Sequence, residues 1–223
     1  MTCIVGVVSE QGIYLGADSA TTAGYQVQEL ASHKVFRRGE FLFGVCGYLR
    51  LLQILRHRLQ LPPVWSSQSI EHYMNGPFID AVRAACQQGG FTRYLGGQEI
   101  AGGVFLVGRG QRLFCVGPDF SVSEVRASYN AIGSGSDLAL GSLHSSARWT
   151  GNPKERVYLA LRAAAHYDAG VAPPFVLIAN VPGFEREGET IEAGARRHPQ
   201  LPVSMALAAL EHTLGDICVS HNH

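Results

Sequence analysis

The chain has 223 residues, of which 46% are hydrophobic and 16% charged, with 18 basic and 18 acidic side chains and no formal net charge. This length and apolar content predict one globular domain over residues 1–223 and exclude a disordered or fibrous chain. Charge balance gives no electrostatic reason to expect nucleic acid or an anionic membrane as partner.

Five cysteines (Cys3, Cys46, Cys86, Cys115 and Cys218) are an odd number, set mostly in apolar runs such as Phe114-Cys115-Val116. They read as buried thiols of a reducing compartment rather than a disulfide framework. No signal peptide and no apolar run of the ~20 residues needed to span a bilayer is read, so a cytoplasmic protein is expected.

In chain order, residues 3–8 are β-branched and predict a strand, and 13–17 predict its hairpin partner. A turn near Glu10 would set Asp18 roughly opposite Thr2. Short strands follow over 34–37 and 40–46. Leu49, Leu52, Ile54, Leu55 and Leu59 then share a helical face that ends at Pro62-Pro63. Residues 67–87 predict a second helix with a kink at Gly76-Pro77. The glycines from 89 to 97 predict a loop, and 102–108 with 111–116 a second hairpin. A strand ends at Ala131-Ile132, and Gly133 to Ser136 turn into a helix over about 137–149. Pro153 opens another helix, ending near His166. Pro173-Pro174 precede a strand over 175–179, and a last helix is expected over 203–212. This order lacks the β-α-β alternation of a parallel sheet and predicts an α+β fold of two antiparallel sheets between two pairs of helices.

A hydroxyl nucleophile needs a base, and one solution is the nucleophile's own α-amine. Thr2 becomes the first residue once Met1 is removed, as is usual before a small residue; no propeptide is then needed. An α-amine with a pKa near 7.7–8.0 suits proton transfer at neutral pH. Lys34 is a candidate cation beside it; only Lys34 and Lys154 of the basic residues are lysine. A compact ammonium bonds a hydroxyl better than a guanidinium fork does. Each residue has a plainer reading: Asp18 and Asp168 as turn residues, Lys34 as a surface lysine, Gly133 to Ser136 as a helix cap.

Five segments in order decide between these readings. Thr2-Cys3-Ile4-Val5-Gly6-Val7, Gly16-Ala17-Asp18-Ser19-Ala20-Thr21-Thr22, His33-Lys34-Val35-Phe36, Gly44-Val45-Cys46-Gly47 and Ala131-Ile132-Gly133-Ser134-Gly135-Ser136 resemble proteasome β-subunits and their bacterial homologues. The resemblance implies the four-layer αββα sandwich of the N-terminal nucleophile hydrolases, with a core over about 2–180 and a C-terminal extension over about 181–223. It implies Thr2 as nucleophile and, through its amine, base; Asp18 and Lys34 as the pair that tunes it; and the Gly47 N–H as oxyanion donor. Ser134 matches the serine beside the mature N-terminus, and Asp168 the acid that orders that serine. Thr22 matches the position whose backbone pairs with substrate. Thr21, Ser32, Val45 and Leu49 match the primary specificity pocket, and their neutrality implies an apolar or small residue before the scissile bond.

The implied activity is a threonine endopeptidase acting on unfolded polypeptides inside a homo-oligomeric ring, stacked in pairs, with room for an ATPase unfoldase as partner. No cofactor or metal is implied. Val171 stands where the family usually has a serine, which favours the alternative of a catalytically weak or inactive shell subunit; an amidase acting on small amides is a third reading. Gly215-Asp216-Ile217-Cys218 resembles a cation-binding loop of the bacterial heat-shock peptidase, but at the wrong place in the fold, and is read as chance. Cys218, His221 and His223 are read as a terminal tail rather than a metal site. His57, His72 and His144 are read as surface or helix-packing residues.

Overall fold

The structure is a computed structural model that describes residues 1–23, 26–29, 32–65, 67–148, 151–182, 184 and 189–191. The helix expected over 203–212 and the residues Cys218, His221 and His223 lie outside the described residues.

The chain opens with a hairpin of β1 (Cys3–Ser9) and β2 (Gly12–Asp18), whose register pairs Ile4 with Ala17 and Ser9 with Gly12. A second, small hairpin follows, β3 (Ala20–Ala23) with β4 (Gln26–Glu29), and then β5 (Val35–Arg38) and β6 (Phe41–Gly47). Helix α1 (Leu49–His57) is followed by α2 (Ile70–Tyr73) and α3 (Ile79–Gln88), joined by a π-helical turn, Met74–Phe78, that contains Pro77. The π turn falls where a kink is expected: proline has no N–H to give the preceding turn, and widening the turn accommodates it. Strands β7 (Arg93–Leu95) and β8 (Gln98–Ile100) form a hairpin within the glycine-rich stretch expected to be loop. Then come β9 (Gly103–Arg109), β10 (Arg112–Val116), β11 (Val122–Glu124) and β12 (Tyr129–Gly133). Helices α4 (Ser136–Ser146) and α5 (Pro153–Tyr167) lead to β13 (Phe175–Ala179) and β14 (Glu189–Ile191). Asn152 caps α5 by accepting from the Lys154 and Glu155 amides, with Pro153 in the first turn, where its missing N–H costs nothing.

Two five-stranded sheets form, in the orders β12-β1-β2-β13-β14 and β11-β10-β9-β6-β5. The period-2 alternation of each strand explains the layering. In β1, Cys3, Val5 and Val7 pack with Val157, Leu161 and Ala164 of α5. Ile4 points the other way, into a layer shared with Leu42, Leu106 and Leu113 of the second sheet. In that sheet, Phe41, Phe43 and Val45 face Leu51, Ile54, Tyr73 and Phe78 of the helices, while Leu42 faces inward. The result is the αββα sandwich. Gly16 lets α5 come close: a Cβ there would lie 2.3 Å from Val157 Cγ1. No helix among the described residues is long and apolar enough to cross a membrane.

Candidate active site

One end of the sandwich gathers the beginning of β1, the end of β2, the beginning of β5 and the end of β6. Thr2 precedes β1, Asp18 ends β2 and Lys34 precedes β5, so three strand ends deliver three polar side chains to one place. All are buried: 7% exposed for Thr2, 1% for Asp18 and 5% for Lys34. The Lys34 ammonium donates to Thr2 Oγ1 at 2.8 Å and to Asp18 Oδ1 at 2.9 Å, and also to the Ala20 carbonyl oxygen. Those are the three donors an ammonium has. The hairpin register places Asp18 level with Cys3 rather than Thr2, one residue from the expected pairing; Asp18 Oδ1 accepts from the Cys3 amide at 2.9 Å and Oδ2 from the Ala20 amide at 3.2 Å. Asp18 therefore reaches Thr2 through Lys34. Burial pushes the Asp18 carboxyl above its ordinary value, opposed by the Lys34 ammonium and the two amide hydrogen bonds.

Met1 is attached in the structure, so the Thr2 nitrogen is a peptide N–H; in a chain without Met1 the same atom is the α-amine. That nitrogen donates to Ser134 Oγ at 3.2 Å, and Ser134 Oγ donates to the Thr2 carbonyl oxygen at 3.4 Å. Thr2 Oγ1 donates to the Met1 carbonyl oxygen at 2.6 Å. Gly133 makes the approach of β12 to Thr2 possible. Its φ is +104°, and a Cβ there would lie 2.1 Å from the Thr2 carbonyl oxygen.

Gly47 ends β6, with φ +126° and a backbone so near β9 that a Cβ would meet Gly103 Cα at 2.7 Å. Its neighbour Cys46 comes within 3.3 Å of the same position at Gly133, which puts the end of β6 beside Thr2. The Val45 amide donates to the Lys34 carbonyl oxygen at 3.0 Å, tying β6 to the lysine. Of the expected pocket residues, Val45 is buried, Thr21 half-buried, and Ser32 and Leu49 exposed. Thr21 pairs with Gln28 and Thr22 with Val27 in the β3–β4 hairpin. His57, His72 and His144 are exposed, and His144 Nδ1 lies 3.2 Å from the Tyr129 hydroxyl.

Asp168 follows α5 but makes no hydrogen bond to Ser134. Its Oδ1 accepts from the Gly170 amide at 2.8 Å, and its Oδ2 is buried without a partner among the described residues. Val171 is 2% exposed and belongs to the α5 core; it lies 3.0 Å from where a Cβ on Gly135 would sit, so the missing serine is replaced by packing. Cys3, next to Thr2, is held as the unreactive thiol: burial, with Asp18 and Asp168 nearby, pushes it up to about 12. Sequence reasoning missed the Ala20 carbonyl as the third lysine acceptor, because a backbone atom leaves no mark in the sequence. It also missed the close approach at Gly133, although that glycine stands directly before Ser134.

The arrangement offers a buried hydroxyl bonded to an ammonium, with a nitrogen on the same residue held by a serine. That is the equipment for nucleophilic attack with an amine as base. Similar folds are known. The protein "Thiobacillus denitrificans BPH in complex with Epoxomicin" is 21% identical, with 79% of this chain and 97% of that chain covered and a TM-score of 0.68. The Anbu (Gly-1) mutant from Hyphomicrobium sp. strain MC1 is 21% identical, covering 97% of this chain and 99% of its own, with a TM-score of 0.63. The eukaryotic HslV from Trypanosoma brucei is 16% identical, covering 79% and 98%, with a TM-score of 0.58. A search of curated protein sequences finds no match. The model of the family described as Proteasome subunit matches residues 1–169, about three quarters of the sequence, and the chain therefore belongs to the proteasome subunit family, with its N-terminal nucleophile hydrolase fold.

Proposed function

We propose that this chain is a threonine endopeptidase with Thr2 as nucleophile once Met1 is removed. The observation that carries the reading is the buried Thr2–Lys34–Asp18 chain, with Lys34 Nζ 2.8 Å from Thr2 Oγ1 and 2.9 Å from Asp18 Oδ1. Such a buried charged pair costs more to desolvate than an exposed one, and a hydroxyl joined to it is an expensive arrangement to keep for packing alone.

In the proposed cycle, the neutral α-amine of Thr2 takes the proton of its own hydroxyl as Oγ1 attacks the substrate carbonyl carbon. The Lys34 ammonium stabilises the oxygen that loses the proton, and Asp18 holds that ammonium in place. Negative charge develops on the carbonyl oxygen, and the Gly47 N–H receives it, contributing on the order of 3 kcal/mol. The amine returns its proton to the departing nitrogen, the C–N bond breaks, and an ester to Thr2 remains. Water, deprotonated by the same amine, attacks the ester and releases the acid. Ser134 orients the amine, and Asp168 supports the turn beside it through Gly170. Thr21, Ser32, Val45 and Leu49 are proposed to line a neutral primary pocket, with the Thr22 backbone pairing the substrate strand. The proposed setting is a cytoplasmic homo-oligomeric ring, stacked in pairs, that admits unfolded polypeptides, fed by an ATPase unfoldase where one is present; the exposed Trp65 and Tyr167 are candidate subunit contacts.

The test is an epoxyketone such as epoxomicin, the ligand of the BPH structure, added to protein whose intact mass shows Met1 gone. One covalent adduct on Thr2 and loss of peptide hydrolysis are expected. No adduct on Met1-free protein would overturn the reading and favour the shell subunit. The core position of Val171 and the absence of a bond from Asp168 to Ser134 are what favour that second reading.

A further inference from the structure

Directly after Gly47, the chain places an exposed aromatic side chain. Tyr48 is 53% exposed, and its amide donates to the Gly102 carbonyl oxygen at 3.4 Å. Its ring meets Phe91 edge-on, with centroids 5.9 Å apart, and the Arg93 guanidinium lies 4.6 Å over its centroid. Gly102 provides the floor: a Cβ there would meet the Phe91 ring at 3.0 Å and Tyr48 at 3.4 Å. The platform thus rests on the same crossing of β6 and β9 that holds Gly47, and it borders the proposed oxyanion site.

Its charge is unanswered. The one carboxylate of the β7–β8 hairpin, Glu99, accepts from Arg83 Nε at 3.0 Å and from Gln87 Nε2 at 3.0 Å, both on α3. Those bonds fix the hairpin and occupy the acid. Among the described residues the ion pairs are Lys34–Asp18, Arg83–Glu99, Arg109–Glu40 and Arg112–Glu124, so Arg93 has no carboxylate within 4.0 Å. A guanidinium stacked on a ring still projects its N–H groups in its own plane, where a carboxylate accepts two of them at once.

We infer that Tyr48, Phe91 and Arg93 form a specificity subsite that selects substrates with an aspartate or glutamate near the scissile bond. The acid pairs with Arg93, and the adjoining substrate backbone lies against the Tyr48 ring. This inference rests on the endopeptidase reading. It adds an acidic preference to the neutral primary pocket.

The test uses the full chain with Met1 removed and fluorogenic peptides identical but for one position, scanned on both sides of the scissile bond as Glu, Gln or Lys. At one position wild type is expected to prefer Glu over Lys by about fivefold in kcat/KM, the scale of a partly exposed ion pair. Arg93→Glu should invert that order, and Tyr48→Ala should weaken the preference, while Thr2 in both still goes on to a single epoxyketone adduct, whatever the rate. An unchanged ranking in Arg93→Glu with full labelling overturns the subsite and leaves the endopeptidase reading standing. A changed native mass of Arg93→Glu overturns it too, by showing that Arg93 meets a neighbouring subunit. If wild type takes no label and cleaves none of the peptides, the endopeptidase reading fails and the subsite with it.

Discussion

The two ends of the sandwich use charge in opposite ways. At the Thr2 end, Asp18 and Lys34 are 1% and 5% exposed and share their hydrogen bonds with Thr2 and the backbone. At the other end, the turns after β5, β9 and β13 surround an open depression of about 510 Å³ lined by Arg37, Glu40, Arg109, Arg112 and Asn180. There Arg109 pairs with Glu40 at 2.7 Å, and Arg112 pairs with Glu124 through Nε at 2.6 Å, all with side chains partly open to water. The same strands connect both ends, so the difference lies in what surrounds the charges. Water solvates the distal pairs in any case, and each contributes little. The Thr2 end has given up that solvation and replaced it with a closed set of partners. The proposed chemistry lies where removing one partner is costly.

The largest break in this contrast is Thr2→Ala. Peptide hydrolysis and epoxyketone labelling should both vanish, while stability to denaturant changes by about 1 kcal/mol, one hydrogen bond's worth. Activity surviving in this variant would mean another nucleophile. Next is a pair of truncations compared by urea unfolding. Lys34→Ala, which leaves the Asp18 carboxylate buried without its counter-charge, should lose about 3–5 kcal/mol. Arg112→Ala should lose at most about 1 kcal/mol. Equal losses would erase the distinction between the ends. Gly133→Ala comes third: a positive φ that suits glycine, and the overlap with the Thr2 carbonyl, should together cost upwards of about 1 kcal/mol and lower the rate of labelling as Thr2 is displaced.

A finer test is pH. Below its pKa Asp18 is neutral and no longer holds the Lys34 ammonium, so activity should fall on the acid side. Because burial raises that pKa, the fall should begin at higher pH than for an ordinary aspartate. Asp18→Asn should have low activity and keep only the fall that protonation of the Thr2 amine produces; an acid profile unmoved in shape by the substitution would assign all of it to another group. The smallest expected effect is that of salt. At about 1 M, where the Debye length is ~3 Å, the stability contribution of the distal pairs should fade, and that of Lys34–Asp18 should persist. A double-mutant cycle on each pair at low and high salt measures the difference.

The legibility of the chain follows the same divide. Short β-branched and apolar runs such as residues 3–8 and 13–17 marked β1 and β2, and the runs are continuous because half of each strand faces one core and half another. Prolines at 153 and 173–174 marked element starts, since proline tolerates few other places. The hairpin of β7 and β8 was not legible: its residues are largely exposed, so it carries no apolar alternation, and glycines at 96 and 97 read equally as loop. Strand β11 is three residues long, too short for periodicity to register.

For the candidate site, Thr2, Asp18, Lys34 and Ser134 could be picked from the sequence as members of an ordered set, and the fold brings them together. Asp168 was expected to order Ser134; the turn at Gly170 takes up one of its oxygens instead.

By itself the sequence determined the layers and the residue types of the candidate site, because apolar runs, breakers and the order of elements and motifs are local properties of the chain. Only the tertiary structure decided who touches whom. Asp18 meets Lys34 across 16 residues, and Ser134 meets Thr2 across 132. Arg93 comes to rest on Tyr48 because Gly102 leaves space for two rings. Contacts at such separations depend on strand register and on the room a missing side chain leaves, and neither quantity is written at any single position.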